Sequence, residues 1–277
     1  MNNPIKSVRM EILISGFTET PLHYDTGWRQ LPCNVLSYLF VPGGGSEGSP
    51  GAVLQRRGLP DVQIPVGGLM LVPAREEHRV KTVGEGVFSL WMHFSALCGP
   101  GVELTELYEF PRLCFAPETM EKMPFFLREV FERSNSGEPA DEIRAVFAAS
   151  AAVAELFPYA RLKREMVLDE LRRVAPAIRL IRSAPEKRYP AEELAAECYL
   201  SESRFRAIFR EIMGLTAHEF AENERIQLAV RYLQQGFSVE EIAVKLAYSD
   251  ASHFSRTFRK MTGMAPGSYR KFIFRQN

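Results

Sequence analysis

The 277-residue chain has no apolar run approaching the roughly 18–20 residues that a membrane helix requires. Its opening, MNNPIKSVRM, lacks the apolar stretch of a secretory signal. A cytoplasmic protein with no membrane partner is therefore expected. The four cysteines, Cys33, Cys98, Cys114 and Cys198, are scattered and form no CxxC pair. That spacing fits reduced thiols and offers no zinc ribbon. Histidines are few, five in all, and no HxH occurs. There is also no nucleophile elbow and no phosphate loop. These absences argue against an enzyme, and no cofactor is expected.

Two domains are the natural division of this length. With 46% hydrophobic and 25% charged residues, the composition supports sizeable cores without a disulfide or metal staple. Net charge is zero, but unevenly spread. Residues 1–161 hold 14 Lys+Arg against 19 Asp+Glu, and the remaining 20 bases and 15 acids lie in 162–277. After Asp250 no acid follows, while Arg256, Arg259, Lys260, Arg270, Lys271 and Arg275 do. A basic tail suits phosphate contact, although a solvated charge run would look the same.

Residues 1–116 read as β: CNVLSYLFV, GAVLQ, GLMLVP and FSLWMHF are short runs parted by Gly/Pro turns. Such spacing suggests a sandwich or barrel. Residues 117–183 read as helical, with segments near 117–133, 139–156 and 162–183, and Ala175-Pro176 is placed to kink or split the third. SAPEKRYP at 183–190 is a linker, and 184–277 reads as α throughout.

The strongest signal is an internal repeat. LAAECYLSESRFRAIFREIMGLTAHEF (194–220) aligns with IAVKLAYSDASHFSRTFRKMTGMAPGSY (242–269), first at an offset of 48 and then of 49. Leu194/Ile242, Ala195/Ala243, Ser201/Ser249, Phe205/Phe254, Phe209/Phe258, Arg210/Arg259, Gly214/Gly263 and Phe220/Tyr269 correspond. Each unit reads as a short helix, a tight turn and a longer helix. Ser201 can cap the longer helix of the first unit, and Ser249 or Asp250 that of the second. Phe205, Ile208, Phe209 and Ile212 fall on one helical face, as do Phe254, Phe258 and Met261. Gly214 and Gly263 supply stops. One long helix over Ala217–Gln235 joins the units.

This arrangement resembles the double helix-turn-helix domain of the AraC/XylS transcription regulators, and YSDASHFSRTFRKMTGMAPGSYR resembles the family signature over its full length. The resemblance implies that double-stranded DNA is a partner, with each unit's longer helix in a major groove. It places base contacts at Ser203, Arg206 and Ala207 in the first unit and at Ser252, His253 and Arg256 in the second. Arg206 and Arg256 have the fork that fits guanine O6 and N7, with phosphate contact as the competing reading for each. Arg210, Arg259, Lys260 and Arg270 are candidate backbone contacts. RNA polymerase is a further candidate partner, and the middle helices are a candidate homodimer surface.

Residues 21–95 resemble the cupin-like effector domain of the same family, through VGGLMLVPAREEHRVKT (66–82) and FSLWMHFS (88–95). Leu69 and Arg75 depart from its usual acid and turn glycine. The implied fold class is two-domain α+β: a cupin-like β-barrel, a helical middle and an all-α double helix-turn-helix. Strand alternation puts Ser89, Trp91 and His93 on one face, suited to the inside of a ligand-holding barrel. Arg29 matches the spacing of a family arginine that grips a hydroxylated ligand, and Trp28, Tyr38 and His78 are further lining candidates. The expected partner there is a small polar effector, a sugar. Two rivals remain open: a β domain that serves only dimerisation or a protein partner, and a metal-dependent cupin enzyme fused to a DNA-binding module. A self-filled pocket would favour the first, and stoichiometric metal the second.

Overall fold

The computed structural model describes residues 8–43, 47–99, 101–112, 117–134, 136–163 and 167–275. Cys114 and part of the glycine-rich turn at 42–51 lie outside them. The N-terminal part holds strands β1 (Val8–Thr20), β2 (Arg29–Gln30), β3 (Asn34–Phe40), β4 (Pro50–Arg56), β5 (Leu59–Pro65), β6 (Leu69–Val72), β7 (Glu77–Thr82), β8 (Val87–Cys98) and β9 (Val102–Glu103). These form two antiparallel sheets. One runs β1-β8-β3-β6 with β9 paired to β8, and the other runs β2-β7-β4-β5. No hydrogen-bonded ladder joins the two sheets among the described residues, so the barrel expected from sequence is not closed. Two facing sheets satisfy the same alternation as a barrel, because each strand needs only one buried and one outer face.

A short helix α1 (Leu104–Leu107) and the pair β10 (Tyr108–Glu109) and β11 (Arg161–Leu162) lead out of the β domain. The middle helices are α2 (Pro117–Ser134), α3 (Pro139–Leu156) and α4 (Val167–Ser183). Pro176 lies inside α4 without splitting it. Then follow α5 (Ala191–Glu197), α6 (Glu202–Met213), α7 (Ala217–Gln234), α8 (Val239–Lys245), α9 (Ala251–Thr262) and α10 (Pro266–Arg275). No helix among the described residues is long and apolar enough to cross a membrane.

One apolar core crosses the sequence boundaries at 116 and 183. It runs from Leu36, Leu90 and Met92 through Met123, Val130 and Ile178 to Phe205, Phe209 and Phe220. A second cluster joins Ile14 and Trp91 of the β domain to Ile226, Leu233, Phe258 and Tyr269. Helix α7 belongs to both, so it is the element that ties the halves together. Its ring Phe220 lies under two guanidiniums, Arg75 at 5.8 Å and Arg182 at 5.3 Å from the centroid. Arg75 is paired with Glu106, and Arg182 with Glu224 at 3.0 Å. Further along α7, Gln227 donates to the Pro32 carbonyl, Arg231 pairs with Glu11, and Gln234 donates to the Leu13 carbonyl.

Arg75 occupies the left-handed region at φ 65°, where the family-like hairpin would place glycine. Holding a bulky residue there costs of order 1–3 kcal/mol. The ion pair with Glu106 and the stacking on Phe220 offset it. The sequence departure at Arg75 is thus an interdomain contact. Phe220→Ala should lower the stability of the whole chain by about 3–5 kcal/mol, since it removes a fully buried ring and both stacking partners. Urea denaturation checks this; a midpoint within error of the unaltered chain would contradict the clamp.

Candidate nucleic-acid interface and ligand cavity

The repeat becomes two helix-turn-helix units, α5–α6 and α8–α9, joined by α7. Their turns share an unusual backbone: Tyr199 and Ala247 both sit at φ 54°. Ser201 caps α6, accepting from the Arg204 amide, and Asp250 caps α9, accepting from the His253 amide at 2.7 Å. The extra residue of the second unit is therefore spent between Ala247 and Asp250, and Asp250 rather than Ser249 is the structural counterpart of Ser201. Capping boxes at Thr216/Glu219 and Ser238/Glu241 start α7 and α8. Gly214 and Gly263 end the longer helices in the left-handed conformation. Phe205, Ile208 and Phe209, and likewise Phe254 and Phe258, are buried as their spacing requires.

With those faces inward, Ser203, Arg206, Ala207 and Arg210 are exposed on α6, and Ser252, Arg256, Arg259 and Lys260 on α9. His253 is half-buried, its Nδ1 3.1 Å from Ser249 Oγ and its ring edge-on to Tyr248. Arg270 is also half-buried, with Nε and Nη2 unpartnered. The two candidate base-reading arginines differ in their surroundings. Arg206 donates through Nε to Glu202 at 2.8 Å, an i,i+4 pair that sequence reading passed over. Arg256 has no ion-pair partner among the described residues.

A cavity of about 90 Å³ opens between the two sheets. Of the residues named from sequence, Arg29, Ser89, Trp91 and His93 line it. Trp28, Tyr38 and His78 do not. Trp28 is exposed under the Arg57 guanidinium. Tyr38 points to the opposite face of β3 and stacks on Phe40. His78 stands behind the cavity, fully buried. Its Nδ1 donates to the Glu76 carbonyl at 2.8 Å, which leaves Nε2 to accept from Arg29 Nε at 3.1 Å. Sequence reading missed Thr18, Thr20, Tyr24, Thr26 and Thr82 as lining residues. The available signal was hydroxyl residues two apart on strands, the period of one sheet face.

The cavity also touches the helix-turn-helix half. A Cβ at Gly263 would meet Arg29 Cβ at 3.0 Å, so glycine there both caps α9 and lets β2 approach its end. Gly214, the matching cap in the first unit, has open space around it. Trp91, with its indole N–H donated to Thr18 at 3.0 Å, sits in the same apolar cluster as Phe258 and Tyr269.

Residues 194–271 match the family model described as a helix-turn-helix domain. Both units lie within that match, and relatives over the same region include a putative AraC-like transcription regulator of Streptomyces lividans, 32% identical over 99 residues, covering 35% of this chain and 33% of the relative. Relatives over this region include the HTH-type transcriptional regulator AlkR of Acinetobacter baylyi, 32% identical over 96 residues, covering 34% of this chain and 31% of the relative. The probable transcriptional regulator LumQ of Photobacterium leiognathi is 32% identical over 89 residues, covering 32% of this chain and 36% of the relative. The chain spans about a third of the length of the curated relatives it matches. ToxT from Vibrio cholerae O395 has the same fold over 97% of this chain and 98% of its own, at TM-score 0.61 and 12% identity. An unsaturated fatty acid-bound ToxT from strain SCE256 aligns over 99% of this chain and 98% of its own, at TM-score 0.59 and 13% identity.

Burial, and then the nearby Arg29 charge, push both His78 and His93 down to about 3 from the ordinary 6.5. Both are therefore neutral in the fold while the unfolded chain protonates them below about 6.5. The unfolded state binds more protons between pH 6.5 and 3, so stability falls as pH drops through that window. Each histidine should contribute a slope of about 1.4 kcal/mol per pH unit at most. His93→Gln should flatten the stability profile there, measured by denaturant titration at several pH values; an unchanged slope would contradict the assignment.

Proposed function

We propose that the chain is a sequence-specific, DNA-binding transcription regulator, in which a small molecule between the two sheets biases how the second helix-turn-helix unit is held. One observation carries this reading: Arg29 and Trp91 line the cavity and also pack against the second unit, Arg29 at Gly263 and Trp91 within the apolar cluster of Phe258 and Tyr269. A ligand that favours one placement of those two side chains shifts the population of DNA-binding geometries by its differential affinity. The relatives' names support regulation rather than catalysis, and the ligand-bound ToxT supports a small molecule as the signal.

The base readers in this proposal are Ser203, Arg206 and Ala207 on α6, and Ser252, His253 and Arg256 on α9. Arg256 is the stronger reader because, although Asp250 lies near enough to act on it, it is held in no ion pair among the described residues, whereas Arg206 must leave Glu202 to reach a base. Arg210, Arg259 and Lys260 serve the phosphates, and Arg270 joins them once its half-buried head turns outward. The protein works in the cytoplasm. It pairs with a second copy through α2 and α3, where Phe125, Ile143 and Phe147 are exposed at 62%, 59% and 72%. RNA polymerase meets the assembled complex at the promoter.

In vitro selection with the full chain would define a binding site. On that site Arg256→Ala should lose discrimination by about 1–3 kcal/mol at one base pair, read by binding to single-base variants. Equal weakening on selected and random DNA would assign Arg256 to phosphate contact and contradict its role as a reader.

A further inference from the structure

The cavity holds a cation and no anion. Arg29 is half-buried there, and no Asp or Glu is among the lining residues. Among the described residues its one hydrogen bond goes to His78, a neutral acceptor. Besides the neutral His78 and His93, the ionisable groups that act on it are Tyr24, Tyr269 and Cys33. Burial pushes Tyr269 above its ordinary range and the Cys33 thiol up to about 12, so neither supplies negative charge near neutrality. A guanidinium drawn in from solvent without a counter-charge is costly unless something else brings one. His93 adds a second vacancy in the hydrogen bonding: it is 4% exposed, lines the same cavity, and its Nδ1 has no partner.

Several hydroxyls of the lining are already engaged within the fold. Ser37 and Ser89 bond each other at 2.8 Å, Thr20 donates to the Val87 carbonyl at 2.6 Å, and Thr26 accepts from the Val80 amide. A sugar needs a partner for each of its hydroxyls, and those left unpaired on burial lose affinity. Much of the remaining wall is apolar, including Leu39, Ile64 and Met70. The volume of about 90 Å³ corresponds to roughly six to nine atom-sized positions, on a scale where one water takes 10–15 Å³.

We infer that this cavity takes a small organic monocarboxylate, its carboxylate on the Arg29 guanidinium beside His93 and its hydrocarbon body among Leu39, Ile64 and Met70. The inference rests on the reading of the cavity as the effector site and replaces the sugar expected from family resemblance. His78 is a positioning residue: its fixed tautomer holds Arg29 Nε and leaves the terminal nitrogens to grip the carboxylate. The apolar wall makes the hydrocarbon body contribute affinity, and the volume of about 90 Å³ favours a short one.

Isothermal titration of the full chain near pH 7 tests this with hexanoate and benzoate, their amides hexanamide and benzamide, arabinose and rhamnose, and oleate as a long-chain arm. Hexanoate or benzoate should bind at least tenfold more tightly than its amide and more tightly than oleate. Arg29→Gln should erase the preference for acid over amide, and His93→Gln should weaken acid binding less. The comparison of acid with amide on the unaltered chain stands even where a variant fails to fold. Equal binding of acid and amide, tighter binding of oleate, or binding of a sugar alone would overturn the small monocarboxylate while leaving the effector site in place. No heat with any probe would overturn both.

Discussion

The ring of Phe220 meets the guanidiniums of Arg75 and Arg182, and through it one helix is held by both the β domain and α4. Each stack is worth from about 0.5 to 2 kcal/mol or more as the site loses water. The larger effect is geometric. Two cations over a fully buried ring fix where α7 begins, and Gln227, Arg231 and Gln234 fix where it runs across β1 and the turn before β3. Since α7 joins the two helix-turn-helix units, its position on the β domain sets where both longer helices stand.

The two units depend on that constraint differently. The first, α5–α6, shares a continuous apolar core with β3, β8 and the middle helices, through Phe205, Phe209 and Phe220. The second, α8–α9, has its own cluster and meets the β domain beside the cavity, at Ile14, Trp91 and Arg29. A core of close-packed side chains resists small displacement, whereas a contact that shares Arg29 and Trp91 with the cavity wall can be rebalanced by whatever occupies the cavity. This difference explains why the ligand would act mainly on the second unit.

Much of this was legible from residues alone. The repeat fixed both helix-turn-helix units, their buried phenylalanines and their glycine stops, because the period of a helix and the left-handed C-cap leave strong local marks. Alternation on β8 correctly separated Ser89, Trp91 and His93 from Leu90, Met92 and Phe94, since a sheet has only two faces. What sequence could not supply was non-local. Tyr38 stood on the wrong face for the cavity because the register of β3 against β8, which sets Ser37 opposite Trp91, is decided by pairing across the sheet. Arg75 read as a departure from a turn glycine, and only its distance to Phe220 turns it into a clamp. Glu202 was passed over because its neighbour Arg206 drew the functional reading. The closed barrel was an inference by resemblance, and two open sheets carry the same strand pattern.

Both tryptophans, Trp28 and Trp91, lie in the β domain, while α2 through α10 supply nearly all the helix. Equilibrium unfolding of the full chain in urea, followed at once by tryptophan fluorescence and by far-ultraviolet circular dichroism, therefore watches the two halves separately. If α7 locks them into one body, the two signals must trace a single coincident transition. Two transitions with distinct midpoints would show halves that fold independently, and the coupling of the cavity to the helix-turn-helix units would lose its basis.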